Sequence, residues 1–214
     1  MNGFFITGTD TEVGKTYATT LMLKAYVAKG TKAFGYKPIA CGDRQDAIAL
    51  ADAGAEHLPL DLINPVWLKM PAAPMIAAQF QNSEIPWQTL LDGADALNNR
   101  ADTLLVEGVG GWQVPITPTQ RVADLAVAFK MPVLLVVDNK LGALNHTLLS
   151  LESIAASGLT CAGLILNHPR EERDAASISN VAALESQTSV PILLEIMHGQ
   201  TKIDLPECLK INTS

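Results

Sequence analysis

The sequence predicts an α/β fold in which a mostly parallel sheet carries helices on both faces. Short apolar segments alternate with longer amphipathic segments along the 214 residues, as expected when helical crossovers join parallel strands. The composition, 48% hydrophobic and 17% charged, excludes a disordered chain and indicates a substantial core. A chain of this length with no internal repeat and no Gly/Ser linker favours one domain over residues 1–214.

Six short apolar runs are predicted as strands. Runs of this length, bounded by turn residues, are typical of strands buried within a parallel sheet. The fourth lies in the longest apolar stretch of the chain, Met131–Val137. The predicted strands are Gly3–Thr7, Lys32–Tyr36, Thr103–Val106, Pro132–Val137, Ala162–Leu166 and Pro191–Leu194.

Seven amphipathic segments between and after these runs are predicted as helices. They are Lys15–Ala28, Asp46–Ala53, Pro74–Phe80, Trp87–Asn98, Val122–Phe129, Ala143–Ala156 and Asp174–Glu185. The proline-containing region Leu58–Asn82 is the least regular, so we expect an excursion beside the sheet there. The last ten residues are predicted to form a loose tail.

The charge balance and the apolar pattern exclude several classes of protein. Fifteen Lys and Arg against 22 Asp and Glu give a net charge of −7, and no basic run is present to bind nucleic acid. The seven apolar residues of the longest stretch are too few to cross a membrane, and the N-terminus lacks the pattern of a signal peptide. Cys41, Cys161 and Cys208 lack metal-site spacing and imply no disulfide. We therefore expect a cytoplasmic protein with no nucleic-acid or membrane partner.

The turn after the first predicted strand, Gly8–Thr16, has the sequence GTDTEVGKT. In a P-loop NTPase-like fold, backbone N–H groups of such a turn bind phosphate, the lysine neutralises phosphate charge and the threonine hydroxyl meets Mg²⁺. The strict pattern would place its first glycine at Thr9, and here that glycine stands one position earlier. Strand, turn and helix nevertheless follow in the right order, which favours a P-loop over a turn that binds nothing.

Acidic residues beside other predicted strands indicate a metal site at the same edge. Glu107 directly follows the third strand and precedes Gly108-Val109-Gly110-Gly111. Ligand groups collect at the carboxyl ends of strands in open α/β sheets, so Glu107 is placed to hold Mg²⁺ with Thr16. Asp46 is the candidate for a further oxygen ligand. An N-cap role in the helix that begins there is its alternative.

Lys37 and Asn167 follow two other strands. At the phosphate edge, the Lys37 ammonium could stabilise charge during phosphoryl transfer, although without the P-loop it would be interpreted as a surface lysine. The Asn167 carboxamide can pair with the N6/N7 edge of adenine, and a strand-end turn is its alternative role. His168 beside it is predicted to be a polar loop neighbour rather than an acid or base.

Five segments together resemble the dethiobiotin synthetases, in the same order along the chain. They are Gly8–Thr16, Tyr36–Gly42, Glu107–Trp112, Lys140–His146 and Asn167. The resemblance implies a ligase of biotin biosynthesis that uses ATP to join CO₂ to 7,8-diaminopelargonic acid, closing the cyclic urea of dethiobiotin and releasing ADP and phosphate. It also implies Mg²⁺ and a homodimer whose substrate site is shared across the interface.

The same resemblance implies roles for individual residues. It implies catalytic roles at the carbamate and phosphoryl oxygens for Lys37, Lys15 and Thr11, and Mg²⁺ ligation by Thr16, Asp46 and Glu107. The implied nucleotide contacts are Glu12, Val13, Gly14, Lys15, Thr16, Tyr17, Asp46, Glu107, Gly108, Val109, Gly110, Asn167 and His168. The implied substrate contacts are Thr11, Glu12, Lys37 and Cys41, together with Leu141, Gly142 and Asn145. The resemblance implies that these last three belong to a helix start that receives the substrate carboxylate from the neighbouring subunit.

The sequence departs from the family pattern in three places. Cys41 stands where the family usually has a serine that contacts the substrate, and a thiol is a poorer hydrogen-bond donor. A nucleophilic role for Cys41 is disfavoured because no nearby base is evident. The segment between Gly42 and Asp46 is shorter than expected, and Glu195–His198 lacks the proline expected where the base packs.

Two other functions are less consistent with the sequence. An amidotransferase-type synthetase on a similar fold would need a glutaminase partner or domain, which is not present among these residues. A dimeric switch ATPase of the partition or septum-positioning kind would begin its P-loop with Lys-Gly-Gly. This chain has Gly8-Thr9-Asp10 there and no amphipathic C-terminal membrane helix.

Overall fold

The computed structural model describes residues 1–209, and its elements alternate between strand and helix along most of the chain. The strands are β1 (Gly3–Gly8), β2 (Ala33–Tyr36), β3 (Ile39–Cys41), β4 (Val66–Leu68), β5 (Thr103–Gly111), β6 (Val133–Asp138), β7 (Cys161–Asn167) and β8 (Ile192–Ile196). The helices are α1 (Lys15–Ala28), α2 (Gln45–Ala53), α3 (Leu60–Ile63), α4 (Pro74–Phe80), α5 (Trp87–Asn98), α6 (Val122–Phe129), α7 (Ala143–Ala156) and α8 (Ala175–Gln187). A short 3₁₀ helix, Glu207–Leu209, follows β8.

Six strands form one parallel sheet in the order β2-β5-β1-β6-β7-β8. The chain moves one way across the sheet from β1 to β2 and the other way from β5 through β8. Because parallel crossovers are right-handed, α1 lies on one face while α6, α7 and α8 lie on the other. This confirms the predicted fold class. The order reverses beside β1, and that is where ligands bind in sheets of this kind.

The centre of the sheet forms the core. Every residue of β6 is buried, as are Phe5 and Ile6 of β1. The Phe5 ring meets Trp112 edge-on and lies beside Phe129, at centroid distances of 6.2 and 6.3 Å. These contacts hold β1, and hence the turn that follows it, against the segment after β5 and the end of α6.

The predicted excursion, Leu58–Asn82, contains α3, β4 and α4. Its strand β4 pairs in parallel with β3, and the two form a second, two-stranded sheet. This small sheet was not predicted, because strands of three residues leave almost no periodic pattern and their pairing joins distant segments. It stands beside the carboxyl end of β2, next to the phosphate edge.

The prediction of a loose tail is wrong for residues 205–209. Leu205 and Leu209 are buried, and Tyr26 of α1 donates its hydroxyl hydrogen to Leu209 O at 2.5 Å. The remainder of that predicted tail, residues 210–214, lies outside the described residues. Within residues 1–209, no helix is both long enough and apolar enough to cross a membrane.

Candidate active site

The turn between β1 and α1 closes tightly because its glycines have no room for a side chain. A Cβ at Gly8 would lie 2.6 Å from Val13 Cγ2, and one at Gly14 would lie 2.1 Å from Asn167 Nδ2. Gly14 has a φ of 93°, and Glu12 is also held in the left-handed region, at 56°. Such conformations turn successive N–H groups toward one side of a loop, which is the geometry that binds anions.

Lys15 begins α1, and its side chain folds back over this turn. Its Nζ donates to Asp10 O at 2.8 Å, and the side chain is buried. Burial, followed by the nearby Lys37 ammonium, lowers the pKa of Lys15 to about 8. A poorly solvated cation in this position would gain from a phosphate placed against the turn.

An ion cluster joins the middle of β5 and the residue after β2 to α1 and α2. Lys37 Nζ lies 2.6 Å from Glu107 Oε1 and 2.8 Å from Asp46 Oδ2. Thr16 donates its hydroxyl hydrogen to Glu107 Oε1 at 2.7 Å. Lys37 and Glu107 are almost completely buried, whereas the Asp46 side chain is 49% exposed. The structure thus brings together four residues that the sequence predicted for one site.

The charges in this cluster support one another. Burial by itself lowers the pKa of Lys37, but the Glu107 and Asp46 carboxylates outweigh it and the pKa rises. Burial by itself raises the pKa of Asp46, but Lys37 outweighs it and the pKa falls. Lys37 is therefore held as an ammonium and Asp46 as a carboxylate.

The cluster offers a metal site made only of oxygen ligands. Among residues 1–209, no group of three or more His, Cys, Asp or Glu side chains could hold a metal ion, so Asp46 and Glu107 would need the Thr16 hydroxyl and non-protein ligands. Glu107 Oε2 is buried with no hydrogen-bond partner. Carboxylate and hydroxyl oxygens with free positions for phosphate and water suit Mg²⁺.

Asp46 does not cap α2. The helix begins at Gln45, with Arg44 at the N-cap position, and Asp46 lies in its first turn. Asp43 Oδ1 instead accepts a hydrogen bond from Gln45 N at 3.1 Å. The alternative interpretation of Asp46 as an N-cap is therefore wrong, and its carboxylate faces Lys37.

These groups line a cavity of about 710 Å³, here called the phosphate cavity. The predicted residues on its wall are Thr11, Glu12, Gly14, Lys15, Thr16, Tyr17, Lys37, Cys41, Asp46, Val109 and Gly110. Val13 is buried behind the turn. The wall also contains residues 71–74, which the sequence did not assign to the site. Only their Pro-rich composition set them apart, and that pattern does not indicate binding.

Cys41, at the end of β3, is part of the cavity wall with a protonated thiol. Burial raises its pKa to about 11, although nearby Lys37 acts in the opposite direction. A thiol in this state is a weak hydrogen-bond donor and a poor nucleophile. Its position fits a substrate contact better than covalent chemistry.

Asn167 ends β7 directly against the phosphate turn. Its Nδ2 donates to Val13 O at 3.0 Å, and its buried Oδ1 has no hydrogen-bond partner. His168 Nε2 lies 3.2 Å from Glu195 Oε2, so its buried ring joins β7 to β8. Asn167 is therefore next to the predicted nucleotide site, while His168 has a structural partner of its own.

Leu141, Gly142 and Asn145 lie outside the phosphate cavity of the same chain. All three are exposed at the start of α7, and Leu141 is 80% exposed. Gly142 takes the N-cap position without a side-chain cap. The first N–H groups of this 14-residue helix are thus not capped by its own N-cap side chain.

Known proteins match this chain over most of its length. A family model described as an AAA domain matches residues 2–200. The protein named ATP-dependent dethiobiotin synthetase BioD from Akkermansia muciniphila is 46% identical over 210 residues, which cover 98% of this chain and 99% of the relative. The protein of the same name from Vibrio parahaemolyticus is 40% identical, over 92% of this chain and 89% of the relative.

Solved structures with much lower identity share the fold. Chloroplast FtsY from Physcomitrella patens aligns with a TM-score of 0.59 and 16% identity, covering 97% of this chain and 62% of that one. The septum site-determining protein MinD from Pyrococcus horikoshii, solved with Mg-ADP, aligns with a TM-score of 0.58 and 17% identity, covering 92% and 82%. At these identities the likeness supports the fold alone.

Proposed function

The chain belongs to the family of ATP-dependent dethiobiotin synthetases and is an enzyme, and we propose that its reaction takes place in the phosphate cavity with ATP bound as a magnesium complex. The enzyme joins CO₂ to 7,8-diaminopelargonic acid and closes the cyclic urea of dethiobiotin, with ADP and phosphate as the other products. The observation that supports this placement is the convergence of Lys15, Thr16, Lys37 and Asp46 on one cavity, with the buried Glu107 bonded to Thr16 and Lys37 behind its wall.

The chemistry proceeds without a protein nucleophile. One amine of the substrate takes up CO₂ as a carbamate and loses a proton. A carbamate oxygen then attacks the γ-phosphorus, and the bond to the ADP oxygen breaks. The second amine attacks the carbamoyl carbon of the mixed anhydride, phosphate leaves, and the ring closes. The protein therefore has to align the reactants and stabilise oxygen-centred negative charge.

The residues of the cavity match those two tasks. The turn before α1 offers backbone N–H groups to phosphate, and Lys15 adds a cation beside them. Lys37 presents a second ammonium to the carbamate and phosphoryl oxygens, near Gly108 O at 3.5 Å. Thr11, Glu12 and Cys41 are the candidate contacts to the diamine side of the substrate.

Magnesium fits the oxygen set of Thr16, Asp46 and Glu107. When bound, it would neutralise phosphate charge and favour in-line transfer. The orphan oxygen of the buried Glu107 carboxylate supports a ligand role for that residue. Asn167, together with Gly14 beside it, is the candidate for holding the adenine end of ATP.

Two alternatives have less support. The likeness to MinD concerns the fold, whereas the 46% identical relative, matched over almost its whole length, is named as a synthetase. An amidotransferase-type synthetase would need ammonia from glutamine. The diamine already carries both nitrogens, so the proposed reaction has no such need.

A homodimer would complete the substrate site. The three α7 residues expected to bind substrate are exposed and lie outside the cavity, so a partner chain would have to bring them to it. Leu149 of α7 and Ile178 of α8 are also exposed apolar residues. A cytoplasmic location stays a prediction from the composition.

A single assay tests the proposal. The protein is incubated with ATP, Mg²⁺, bicarbonate and 7,8-diaminopelargonic acid, and the products are analysed by mass spectrometry. We expect dethiobiotin and ADP in equal amounts, with neither formed when the diamine is omitted or magnesium is chelated. ADP formation without dethiobiotin would overturn the proposed reaction, and the absence of nucleotide binding would overturn the proposed site.

A further inference from the structure

The turn after β8, residues 197–200, is closed by one of its own side chains. Gln200 N donates to Met197 O at 3.1 Å, and Met197 N donates to Gln200 Oε1 at 2.9 Å. Gln200 Nε2 also donates to Lys202 O at 2.8 Å. These three hydrogen bonds give the turn a defined shape, although its residues are largely exposed.

The same turn is tied to two separate elements. On one side, His198 Nδ1 donates to Pro169 O at 2.7 Å, which joins the turn to the segment after β7. On the other side, the Tyr17 hydroxyl donates to Gln200 O, which joins the turn to the first turn of α1. Tyr17 directly follows Lys15 and Thr16, so it links the turn to the phosphate-binding end of that helix.

Asn167 lies where these elements meet. Its side chain is packed against Gly14 and bonded to Val13 O, and its neighbour His168 donates its backbone N–H to Ile196 O at 2.8 Å. Asn167 also pairs with Ile196, the residue directly before the turn 197–200. The phosphate turn, the end of β7 and the turn after β8 therefore adjoin one another at the residue that we assign to adenine. Of these three elements, the turn after β8 is the most exposed and depends most on individual side-chain hydrogen bonds.

A second tyrosine of α1 holds the later part of the same segment. Tyr26 donates to Leu209 O, and Leu205 and Leu209 are buried. This anchor lies nine residues further along α1, about 13 Å from Tyr17 at the helical rise per residue. The chain thus provides two hydrogen bonds of the same chemical type, one near the phosphate turn and one remote from it.

We propose that Tyr17 is a positioning residue that holds the turn 197–200 beside Asn167 and thereby sets the affinity of the enzyme for the adenine end of its nucleotide. The inference rests on the proposed ATP site. Tyr17 acts through the turn, because its hydroxyl hydrogen is already donated to Gln200 O. A phenylalanine keeps the ring and removes only this hydrogen bond.

The test compares Tyr17→Phe with the matched control Tyr26→Phe in direct binding of Mg-ADP by calorimetry. Loss of one neutral hydrogen bond corresponds to a weakening of about three- to tenfold, which we expect for Tyr17→Phe. Tyr26→Phe should lower the thermal midpoint but keep the wild-type affinity for ADP. Inorganic tripolyphosphate, which has no base, should bind Tyr17→Phe as it binds the wild type.

In turnover, Tyr17→Phe should raise the KM for ATP and leave kcat and the KM for the diamine nearly unchanged.

Gln200→Ala removes the two side-chain hydrogen bonds that shape the turn, to Met197 N and Lys202 O, and should reproduce the loss of ADP affinity. Wild-type ADP affinity in both variants would overturn the inference, as would an equal loss of tripolyphosphate binding. ADP binding is measured without turnover. A failure of this inference can therefore be told apart from a failure of the proposed reaction, which would show as a wild-type enzyme that makes no dethiobiotin.

Discussion

At the scale of single residues, Lys37 shows how position gives an ordinary side chain an unusual electrostatic environment. Its ammonium is buried between two carboxylates, and together with Lys15 the four groups carry no net formal charge. A phosphate or carbamate that enters this site meets cations that water does not screen, where electrostatic stabilisation is strongest. Sequence position suggested this role because Lys37 follows a buried strand, but the ion cluster itself appears only in three dimensions.

Replacing Lys37 by Gln should therefore lower kcat by about 10²- to 10³-fold, the usual effect of removing one donor that stabilises negative charge in the transition state. The matched control is Lys32→Gln, which removes a surface lysine paired with the exposed Glu56 and should keep wild-type turnover. Steady-state kinetics with ATP and diamine measure the difference, and retained ADP binding verifies the fold of the variant. A near-normal kcat for Lys37→Gln would remove Lys37 from catalysis.

Cys41→Ser should keep kcat and leave the KM for the diamine equal or lower. A hydroxyl is a better hydrogen-bond donor than a thiol whose pKa is about 11, and no step of the reaction needs a thiolate. Cys161→Ser is the control, since burial likewise raises that thiol's pKa to about 11 on a strand outside the phosphate cavity. Abolished turnover in Cys41→Ser alone would instead support a covalent role for the thiol.

At the scale of elements, the sequence predicted the regular helices well but not the contacts between segments that are distant in the sequence. The bounds of α1, α4 and α7 agree with the prediction because each has a long periodic pattern or a clear end signal. β5 continues to Gly111, well past the predicted Val106, because Gly111 pairs with Gly8 at the end of β1. Asp174, the predicted first residue of the last helix, is instead its N-cap: α8 begins at Ala175, and Asp174 Oδ1 accepts a hydrogen bond from Ser177 N at 2.7 Å.

The contact between the phosphate turn and β7 gives a prediction for Gly14. An alanine there would place a Cβ 2.1 Å from Asn167 Nδ2 at a φ of 93°, so the turn and Asn167 cannot both keep their positions. We expect Gly14→Ala to weaken Mg-ADP binding more than tenfold, on the order of 2 kcal/mol. Gly30→Ala is the control, because Gly30 has a φ of 81° but open space around it. Calorimetry should show unchanged ADP binding for Gly30→Ala. An equal loss of ADP affinity in Gly14→Ala and Gly30→Ala would mean that backbone strain alone, and not the contact with Asn167, causes the effect.

At the scale of the whole molecule, the predicted site is divided between two regions of the surface. The sheet order brings the ends of β1, β2, β5 and β7 to one edge, which collects the nucleotide residues from distant parts of the sequence. The start of α7 does not line that cavity, whereas the other residues assigned to the substrate, Thr11, Glu12, Lys37 and Cys41, do. The motifs in the sequence indicate both parts of the site, the phosphate turn and the start of α7. How two chains would bring these parts together depends on surface residues, which form no periodic pattern in the sequence.

Mixed dimers provide the test of this division. Lys15→Ala should inactivate a chain through its phosphate turn, and Asn145→Asp should inactivate it by placing a negative charge where the substrate carboxylate is expected. If each site combines the phosphate turn of one chain with the α7 start of the other, a re-equilibrated equal mixture contains heterodimers with one intact site. By two-fold symmetry, such a mixture should recover about a quarter of wild-type activity, although each variant alone is nearly inactive.

Asn145→Ala, which adds no charge, is the control and should lose less activity than Asn145→Asp. A mixture that stays inactive while sedimentation shows dimers exchanging subunits would place both halves of the site within one chain and contradict the shared site.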